Sequence, residues 1–130
     1  MNHEKLWVYV AGPYTKPDPC INTRNAVLVG LRLREMGFVP IIPHLSHLMH
    51  LIEPRDYRFW TQWDFDWLER CDALLVLSGE SPGARAEEEL AERLGIPIFQ
   101  IGSADSLDYG ELMDWAMKRG MRFPPEENEE

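Results

Sequence analysis

Cysteine is scarce in this chain, with 2 residues among 130. Cys20 and Cys71 lie far apart and match no metal-binding spacing, which argues against both a disulfide framework and a cysteine-based metal site. Long apolar runs are also missing, since no stretch approaches the roughly 20 residues that a membrane-spanning helix requires. The amino terminus lacks the apolar segment and cleavage site of a secretory signal. We therefore expect a cytoplasmic protein with no membrane partner.

Positive charge is in short supply. The chain has 13 Lys and Arg against 22 Asp and Glu, a formal net charge of -9. Such a surface repels nucleic-acid polymers, so we expect none as a partner, although a local pocket can still accept a small phosphorylated ligand. Glycine-rich phosphate cradles are missing too, because neither Gly-x-Gly-x-x-Gly nor a P-loop motif occurs. This argues against dinucleotide binding and phosphoryl transfer, and we expect no cofactor.

Apolar runs alternate with helical patterns along the chain. Runs typical of buried strands cover residues 6–12, 38–43, 73–77 and 96–101. Helical spacing covers residues 21–36, 56–70, a glutamate-rich segment ending at 94, and roughly 107–119. This order predicts an α/β protein with a three-layer, Rossmann/flavodoxin-like parallel sheet of four to five strands and helices on both faces. We expect a single domain over residues 1–122 and a disordered acidic tail over 123–130.

Ligands of such sheets bind outside the carboxyl ends of the strands, where the strand order switches. The candidate loops follow Val10, Ile42 and Leu77. His44 ends the second strand and is a candidate hydrogen-bonding group of the pocket. His47 and His50 follow it at a spacing of three, which suggests a metal site. However, helical steps of three turn the outer two histidines roughly 120° apart, so we expect no bound metal.

The segment SPGARAEEEL, residues 81–90, contains three consecutive glutamates. On a helix, at about 100° per residue, Glu87 shares its face with the smallest and most apolar neighbours. These are Gly83, Leu90, Ala91 and Leu94. We therefore predict that Glu87 points towards the sheet and that Glu88 and Glu89 lie on the solvated surface. A buried carboxylate is costly unless it is hydrogen-bonded or paired with a cation, so one without such a partner indicates a functional role. Glu87 is either a structural residue, capping the helix or meeting an arginine, or a functional one.

Asp64 lies on the apolar face of its own predicted helix, beside Trp60 and Trp67. It is either bonded to an indole N–H or available for chemistry. Tyr9 lies in the first predicted strand, where a buried hydroxyl needs a partner, and a carboxylate at the edge of the sheet would serve. The alternative is an ordinary core tyrosine. Two inward carboxylates in so small a domain favour paired acid/base or nucleophile chemistry.

Three motifs occur in order: VYVAGPY at the first strand, DFDWLERCDALLVL leading into the third, and SPGARAE after it. Together, from about Leu6 to Phe99, they resemble the nucleoside 2-deoxyribosyltransferase-like superfamily, which includes the 2′-deoxynucleoside 5′-phosphate N-hydrolases. The resemblance implies cleavage or base exchange at the N-glycosidic bond of a nucleoside or nucleoside monophosphate. It implies Glu87 as the nucleophile, Asp64 as the group that handles the base and Tyr9 as the residue that orients the nucleophile.

The same resemblance implies that Ser81 and Gly83 contact the sugar-phosphate. The N-hydrolases follow their first glycine with Ser-x-Arg, which binds the 5′-phosphate, whereas this chain continues from Gly12 with Pro-Tyr-Thr-Lys. Lys16 or Arg24 can take the place of that arginine. The candidate substrate-binding residues are Gly12, Pro13, Tyr14, Lys16, His44, Ser81 and Gly83. A non-catalytic nucleotide-binding module on the same fold, with a sensor or regulatory role, is the alternative function.

Large apolar side chains exceed what the helix faces of a four-strand sheet require. They are Leu48, Leu51, Trp60, Trp63, Trp115 and Met117. A small domain gains core by pairing, and the resemblance also implies an oligomer, so we expect a homodimer or larger with each pocket completed across the interface. In the alternative, these side chains pack on a long loop between Pro43 and Tyr57.

Overall fold

The computed structural model describes residues 5–78, 81–102 and 108–124. In this part of the chain, one all-parallel sheet has the strand order β2-β1-β3-β4. The strands are β1 (Trp7–Ala11), β2 (Val39–Ile41), β3 (Ala73–Leu77) and β4 (Ile98–Ile101). The helices are α1 (Pro19–Met36), α2 (Ser46–Ile52), α3 (Tyr57–Glu69), α4 (Pro82–Leu94) and α5 (Gly110–Lys118).

Alternation along the strands divides the core into two layers. Val8 and Val10 of β1 face one layer, which α1 and α5 complete with Ala26, Val29, Leu33, Leu112 and Ala116. Tyr9 and Ala11 face the other layer, which α3 and α4 complete with Leu68, Ala84, Leu90 and Ala91. Helices therefore cover both faces of the sheet, and the predicted three-layer α/β architecture is confirmed.

Capping residues set the bounds of the two helices that flank the strand ends. α1 begins after Asp18, whose carboxylate accepts a hydrogen bond from the Cys20 N–H at 2.8 Å. α4 begins after Ser81, whose Oγ accepts one from the Ala84 N–H at 3.1 Å. Gly95 ends α4 in the left-handed region at a φ of 74°, as C-terminal glycines commonly do.

The segment between β2 and α3 differs from the sequence-based expectation. The pattern of the sequence assigns no regular element between Pro43 and Tyr57, and this is wrong. A 3₁₀ turn covers Pro43–Leu45 and α2 follows it directly. No residue of α2 is buried, and its apolar residues at helical spacing, Leu48, Leu51 and Ile52, are exposed.

The carboxyl-terminal part of the chain also differs in detail. α5 begins at Gly110, whereas the sequence pattern predicts a start near Leu107. Residues 103–107 and most of the predicted tail, 125–130, lie outside the described residues. Phe123, which the pattern assigns to the tail, packs against Phe38 with 5.9 Å between ring centroids. None of the described helices is long and apolar enough to cross a bilayer.

The large apolar side chains expected at the surface do not form one patch. Trp115 is half-buried and packs against Phe99 of β4, with 5.6 Å between ring centroids. Met117 is exposed on α5, on the opposite side of the sheet from α3. The exposed apolar side chains between residues 45 and 63 are Leu45, Leu48, Leu51, Ile52, Tyr57, Phe59 and Trp63. We call this set the α2–α3 patch.

Candidate active site

The carboxyl ends of the strands open onto one cleft with a volume of about 1710 Å³. It lies at the switch point of the sheet, where the chain passes from β1 to β2 on one side and β3 pairs with β1 on the other. Gly12, Pro43 and Ser78, each in a loop that follows a strand, contribute to its lining. The three loops singled out in the sequence therefore meet in one place.

Gly12 allows the ends of β1 and β3 to approach each other closely. A Cβ atom added at this position would lie 2.9 Å from the Cβ of Leu77 and 3.3 Å from its Cδ1. Contacts this short do not occur between real Cβ atoms, so any larger residue would push the two strand ends apart. The glycine of the VYVAGPY motif thus has a packing role at the cleft.

The three predicted catalytic side chains converge at this cleft. Asp64 from α3 and Glu87 from α4 line it, and Tyr9 from β1 is fully buried beside them. Burial raises the pKa of Tyr9, and the negative charges of Glu87 and Asp64 raise it further. They meet because Tyr9 points into the same core layer that α3 and α4 cover. The predicted inward orientation of Glu87 is confirmed, since only 8% of this residue is exposed.

Burial changes the acidity of both carboxyl groups. Desolvation raises the pKa of Asp64 to about 7. Desolvation also raises the pKa of Glu87 to about 8; the Tyr9 hydroxyl opposes this rise as a hydrogen-bond donor, and the charge of Asp64 adds to it. Two interacting groups with such values titrate as a pair and share roughly one proton near neutral pH. The site therefore holds both a proton donor and an ionised carboxylate at that pH.

Polar atoms at this site lack protein partners. Tyr9 Oη, Asp64 Oδ1 and Glu87 Oε2 are buried without a hydrogen-bonding partner at full geometry among the described residues. Tyr9 is close enough to act on the pKa of Glu87 as a donor, but no hydrogen bond is formed by Tyr9 Oη among the described residues. Buried polar groups without partners are costly and rare in folded proteins. Asp64 and Glu87 line the cleft, so Asp64 Oδ1 and Glu87 Oε2 are the candidates to bond a ligand, whereas the fully buried Tyr9 acts through Glu87.

The structural alternatives for the two carboxylates find little support. Ser81, not Glu87, caps α4. The charge that acts on the pKa of Glu87 is that of Asp64, not that of an arginine. The Trp60 indole N–H donates to His50 Nδ1 at 2.8 Å and so is not engaged with Asp64.

The other two glutamates of SPGARAEEEL behave differently from each other. Glu89 is exposed, as predicted. Glu88 is half-buried, so the prediction that it lies on the solvated surface is correct only in part. Leu94, which the helical projection places on the inward stripe, is 48% exposed. α4 ends there, beyond the part of the helix that the sheet covers.

The predicted substrate-binding residues all line the cleft. They are Gly12, Pro13, Tyr14, Lys16, His44, Ser81 and Gly83. Arg24 does not join them: it is exposed on α1, and its Nη1 donates to Asn25 Oδ1 at 3.3 Å. Of the two cations proposed for phosphate recognition, Lys16 is therefore the one at the cleft.

Sequence reasoning missed several lining residues. The buried Asn22 donates through Nδ2 to the carbonyl oxygens of Tyr14 at 3.0 Å and Lys16 at 2.9 Å. It thereby fixes the loop after β1. A signal was present, because Asn22 precedes Ala26 by four residues on the buried stripe of α1. Arg55 and Arg85 also line the cleft, but no local pattern distinguishes them from other surface arginines.

The histidines of the second loop do not converge on one point. His50 Nδ1 accepts hydrogen bonds from the Trp60 indole and from the Arg55 backbone N–H at 3.1 Å. His47 and His50 stack with 6.5 Å between ring centroids, and Tyr14 lies 5.6 Å from His47. Within the described ranges, no group of three His, Cys, Asp or Glu side chains could hold a metal ion. These rings, with Trp60, instead form an aromatic wall of the cleft.

One comparison with known sequences gives a match. The sequence model of a family described as Domain of unknown function (DUF7768) matches residues 6–101. The chain belongs to this family. The DUF7768 match extends from β1 to β4, so it contains Tyr9, Asp64 and Glu87. A search of curated proteins found no match to the chain. Since the DUF7768 description carries no activity, an assignment of function depends on the chemistry of the cleft.

Proposed function

We propose that this DUF7768 protein cleaves the N-glycosidic bond of a nucleoside or nucleoside monophosphate, or exchanges its base, with Glu87 as the nucleophile. The observation that carries the proposal is a pair of desolvated carboxyl groups, the half-buried Asp64 and the buried Glu87, beside the Tyr9 hydroxyl at a switch-point cleft. Retaining glycosidases use such a carboxyl pair. The resemblance of the three motifs to the nucleoside 2-deoxyribosyltransferase-like superfamily supports the same assignment.

In the first step, a Glu87 carboxylate oxygen forms a bond to the anomeric carbon while the bond from that carbon to the base nitrogen breaks. The bonding electron pair leaves with the base, and the proton of Asp64, whose pKa is about 7, neutralises it. In the free site the shared proton lies mainly on Glu87, whose pKa of about 8 is the higher of the two, so the reaction requires this proton to move to Asp64. Positive charge that develops on the sugar favours the ionised form of Glu87 and so drives this exchange. Burial keeps the pKa of Tyr9 well above its ordinary value, so the phenol stays protonated and remains a donor.

In the second step, an incoming nucleophile attacks the anomeric carbon and displaces Glu87. Asp64, now ionised, accepts the proton of that nucleophile. Water gives hydrolysis, whereas a second base gives transfer of the sugar. Both outcomes retain the configuration at the anomeric carbon because two displacements occur.

The charge and shape of the cleft fit a nucleotide. Lys16, Arg55 and Arg85 line it, although the whole chain carries a net charge of -9. Local positive charge of this kind offsets the repulsion that the protein exerts on a phosphate. His50 of α2 and Trp60 of α3 line the cleft, and a base can stack on their rings.

A substrate panel tests the proposal. The protein is incubated with ribo- and deoxyribonucleosides and their monophosphates, with and without a second base, and chromatography measures free or exchanged base. We expect release by the native protein and none by Glu87→Gln. A ligand-induced rise in melting temperature without released base would instead support the nucleotide-binding module. No release and no thermal shift with any compound would contradict both functions.

We also propose a homodimer or larger assembly in which the α2–α3 patch packs against a second copy. Leu48, Leu51 and Ile52 are 61%, 65% and 87% exposed, and an apolar surface of this kind is unfavourable in a monomer. The patch adjoins the cleft, since α2 and α3 also supply His50 and Asp64 to the lining. A partner seated on the patch would therefore cover one rim of the cleft.

A further inference from the structure

Two polar atoms on the wall of the cleft away from the carboxylates also lack partners. Tyr14 Oη and His44 Nδ1 are both buried without a hydrogen bond among the described residues. Both side chains line the cleft, and their rings lie 6.0 Å apart between centroids at an angle of 52°. One of these atoms belongs to the loop after β1 and the other to the 3₁₀ turn after β2.

The hydrogen-bonding character of His44 is fixed by its surroundings. Its Nε2 lies 3.0 Å from the carbonyl oxygen of Pro13, which can only accept, so Nε2 carries the hydrogen. Burial lowers the pKa of His44, against a smaller opposing effect of the Pro13 contact. The ring is therefore neutral at neutral pH, and Nδ1 presents a lone pair. His44 acts at this atom as an acceptor.

The backbone of Tyr14 and the ring of His44 are held in place before any ligand binds. Asn22 donates to the Tyr14 carbonyl oxygen, and the Pro13–His44 bond ties the loop after β1 to the turn after β2. His44 itself is only 6% exposed. A loop and a buried ring that are fixed in this way lose little conformational entropy on binding.

We infer that Tyr14 and His44 form a polar clamp for one ligand group that accepts a hydrogen bond from Tyr14 Oη and donates one to His44 Nδ1. A sugar hydroxyl meets both requirements, and so does a base edge with adjacent C=O and N–H groups. An ionised phosphate oxygen does not, because it has no hydrogen for Nδ1. The clamp deepens the proposed function and rests on it, since it assigns the part of a nucleoside that this wall recognises.

Two substitutions separate recognition from anchoring at His44. In His44→Gln the side-chain amide reaches the position of Nε2, so it keeps the donor to Pro13 and removes the acceptor. In His44→Asn the amide oxygen reaches the position of Nδ1, so it keeps the acceptor and removes the bond to Pro13. Tyr14→Phe removes the donor and keeps the ring. Tyr109→Phe is the matched control, because Tyr109 Oη is also buried and without a partner but lies in the other core layer.

Binding is measured by calorimetry with Glu87→Gln as the parent, so that no ligand is consumed. The ligands are nucleosides, their 2′-deoxy and 3′-deoxy analogues, and analogues N-methylated on the base edge. We expect Tyr14→Phe and His44→Gln to weaken binding of the parent nucleoside about 10-fold, the scale of one lost hydrogen bond. They should cause no further loss for the one analogue that lacks the clamped group. That analogue identifies the group as sugar hydroxyl or base edge. Tyr109→Phe should bind like its parent.

Other outcomes overturn the inference in distinguishable ways. If nucleosides bind and neither Tyr14→Phe nor His44→Gln changes the affinity for any of them, the clamp is wrong and the proposed function stands. Weakened binding in His44→Asn but not in His44→Gln would mean that His44 only anchors Pro13. If the parent binds no nucleoside, the clamp and the proposed function fail together.

Discussion

The Tyr9 hydroxyl, from the middle of β1, lies next to the Glu87 carboxyl group of α4, and both residues are shielded from solvent. The phenol lowers the pKa of Glu87, but desolvation has the larger effect and the value is about 8. The strand register places Tyr9 beside Leu74 of β3 and Ile41 of β2, in the middle of the sheet. A tyrosine at this position supports a carboxylate that the surrounding core destabilises.

Glu87→Gln should abolish turnover. The amide cannot act as a nucleophile, and it leaves the volume of the side chain unchanged. Glu89→Gln, on the exposed face of the same helix, should stay within a few-fold of the native rate, and so should the half-buried Glu88→Gln. The measurement is the rate of base release on any substrate that the native protein cleaves. Comparable activity in Glu87→Gln would eliminate this residue as the nucleophile.

Asp64→Asn should lower the rate by roughly 10²–10⁴-fold, the usual effect of losing a positioned acid–base group. The loss should be largest for bases that leave poorly unless they are protonated. Rates for a series of bases with different nitrogen pKa values, together with the free energy of unfolding, test this. Unchanged kinetics with lowered stability would make Asp64 a structural residue.

Stability should fall as the pH rises. In the folded protein the pKa values of Asp64 and Glu87 are about 7 and about 8, above the ordinary values of 3.8 and 4.5. At these two groups the folded state binds more protons than the unfolded state between about pH 4 and pH 8, which lowers the free energy of unfolding across this window. His44, whose pKa burial lowers, acts in the opposite direction but is a single group against two. Each unit by which folding raises a pKa can lower the free energy of unfolding by at most roughly 1.4 kcal/mol.

Urea denaturation at intervals from pH 4 to pH 9 measures this decline. Glu87→Gln should flatten the profile and make the protein more stable than native at pH 8, because the amide carries no charge to bury. Glu89→Gln should follow the native curve. A native profile that does not fall between pH 5 and pH 8 would contradict the raised pKa values.

Leu48→Gln should shift the assembly towards monomer, because it places a polar group in the α2–α3 patch. Leu31→Gln is the matched control, since Leu31 is similarly exposed, at 52%, but lies on α1 outside the patch. Sedimentation at low micromolar concentration measures the oligomeric state, and the substrate panel measures activity in parallel. A native protein that is a stable monomer with full activity would rule out the shared cleft.

Local sequence was sufficient for the parts of this protein that local periodicity governs. The 3.6-residue repeat of SPGARAEEEL predicts that Glu87 points inward, and the buried Glu87 confirms it. The run at residues 73–77 predicts β3 with the bounds that the structure shows. The same helical periodicity identifies Asp64 as a polar residue on an apolar helix face.

Tertiary structure alone decided the rest. α2 has 7 residues, fewer than the window of roughly 11–18 over which helical periodicity is read, and the sequence pattern missed it. Tyr14 and His44 are 30 residues apart, and the strand order of the sheet brings them to one wall. The raised pKa values of Asp64 and Glu87 depend on how many atoms of distant segments displace water around them. Desolvation depends on the packing of the whole core, so it cannot be predicted from a local stretch of sequence.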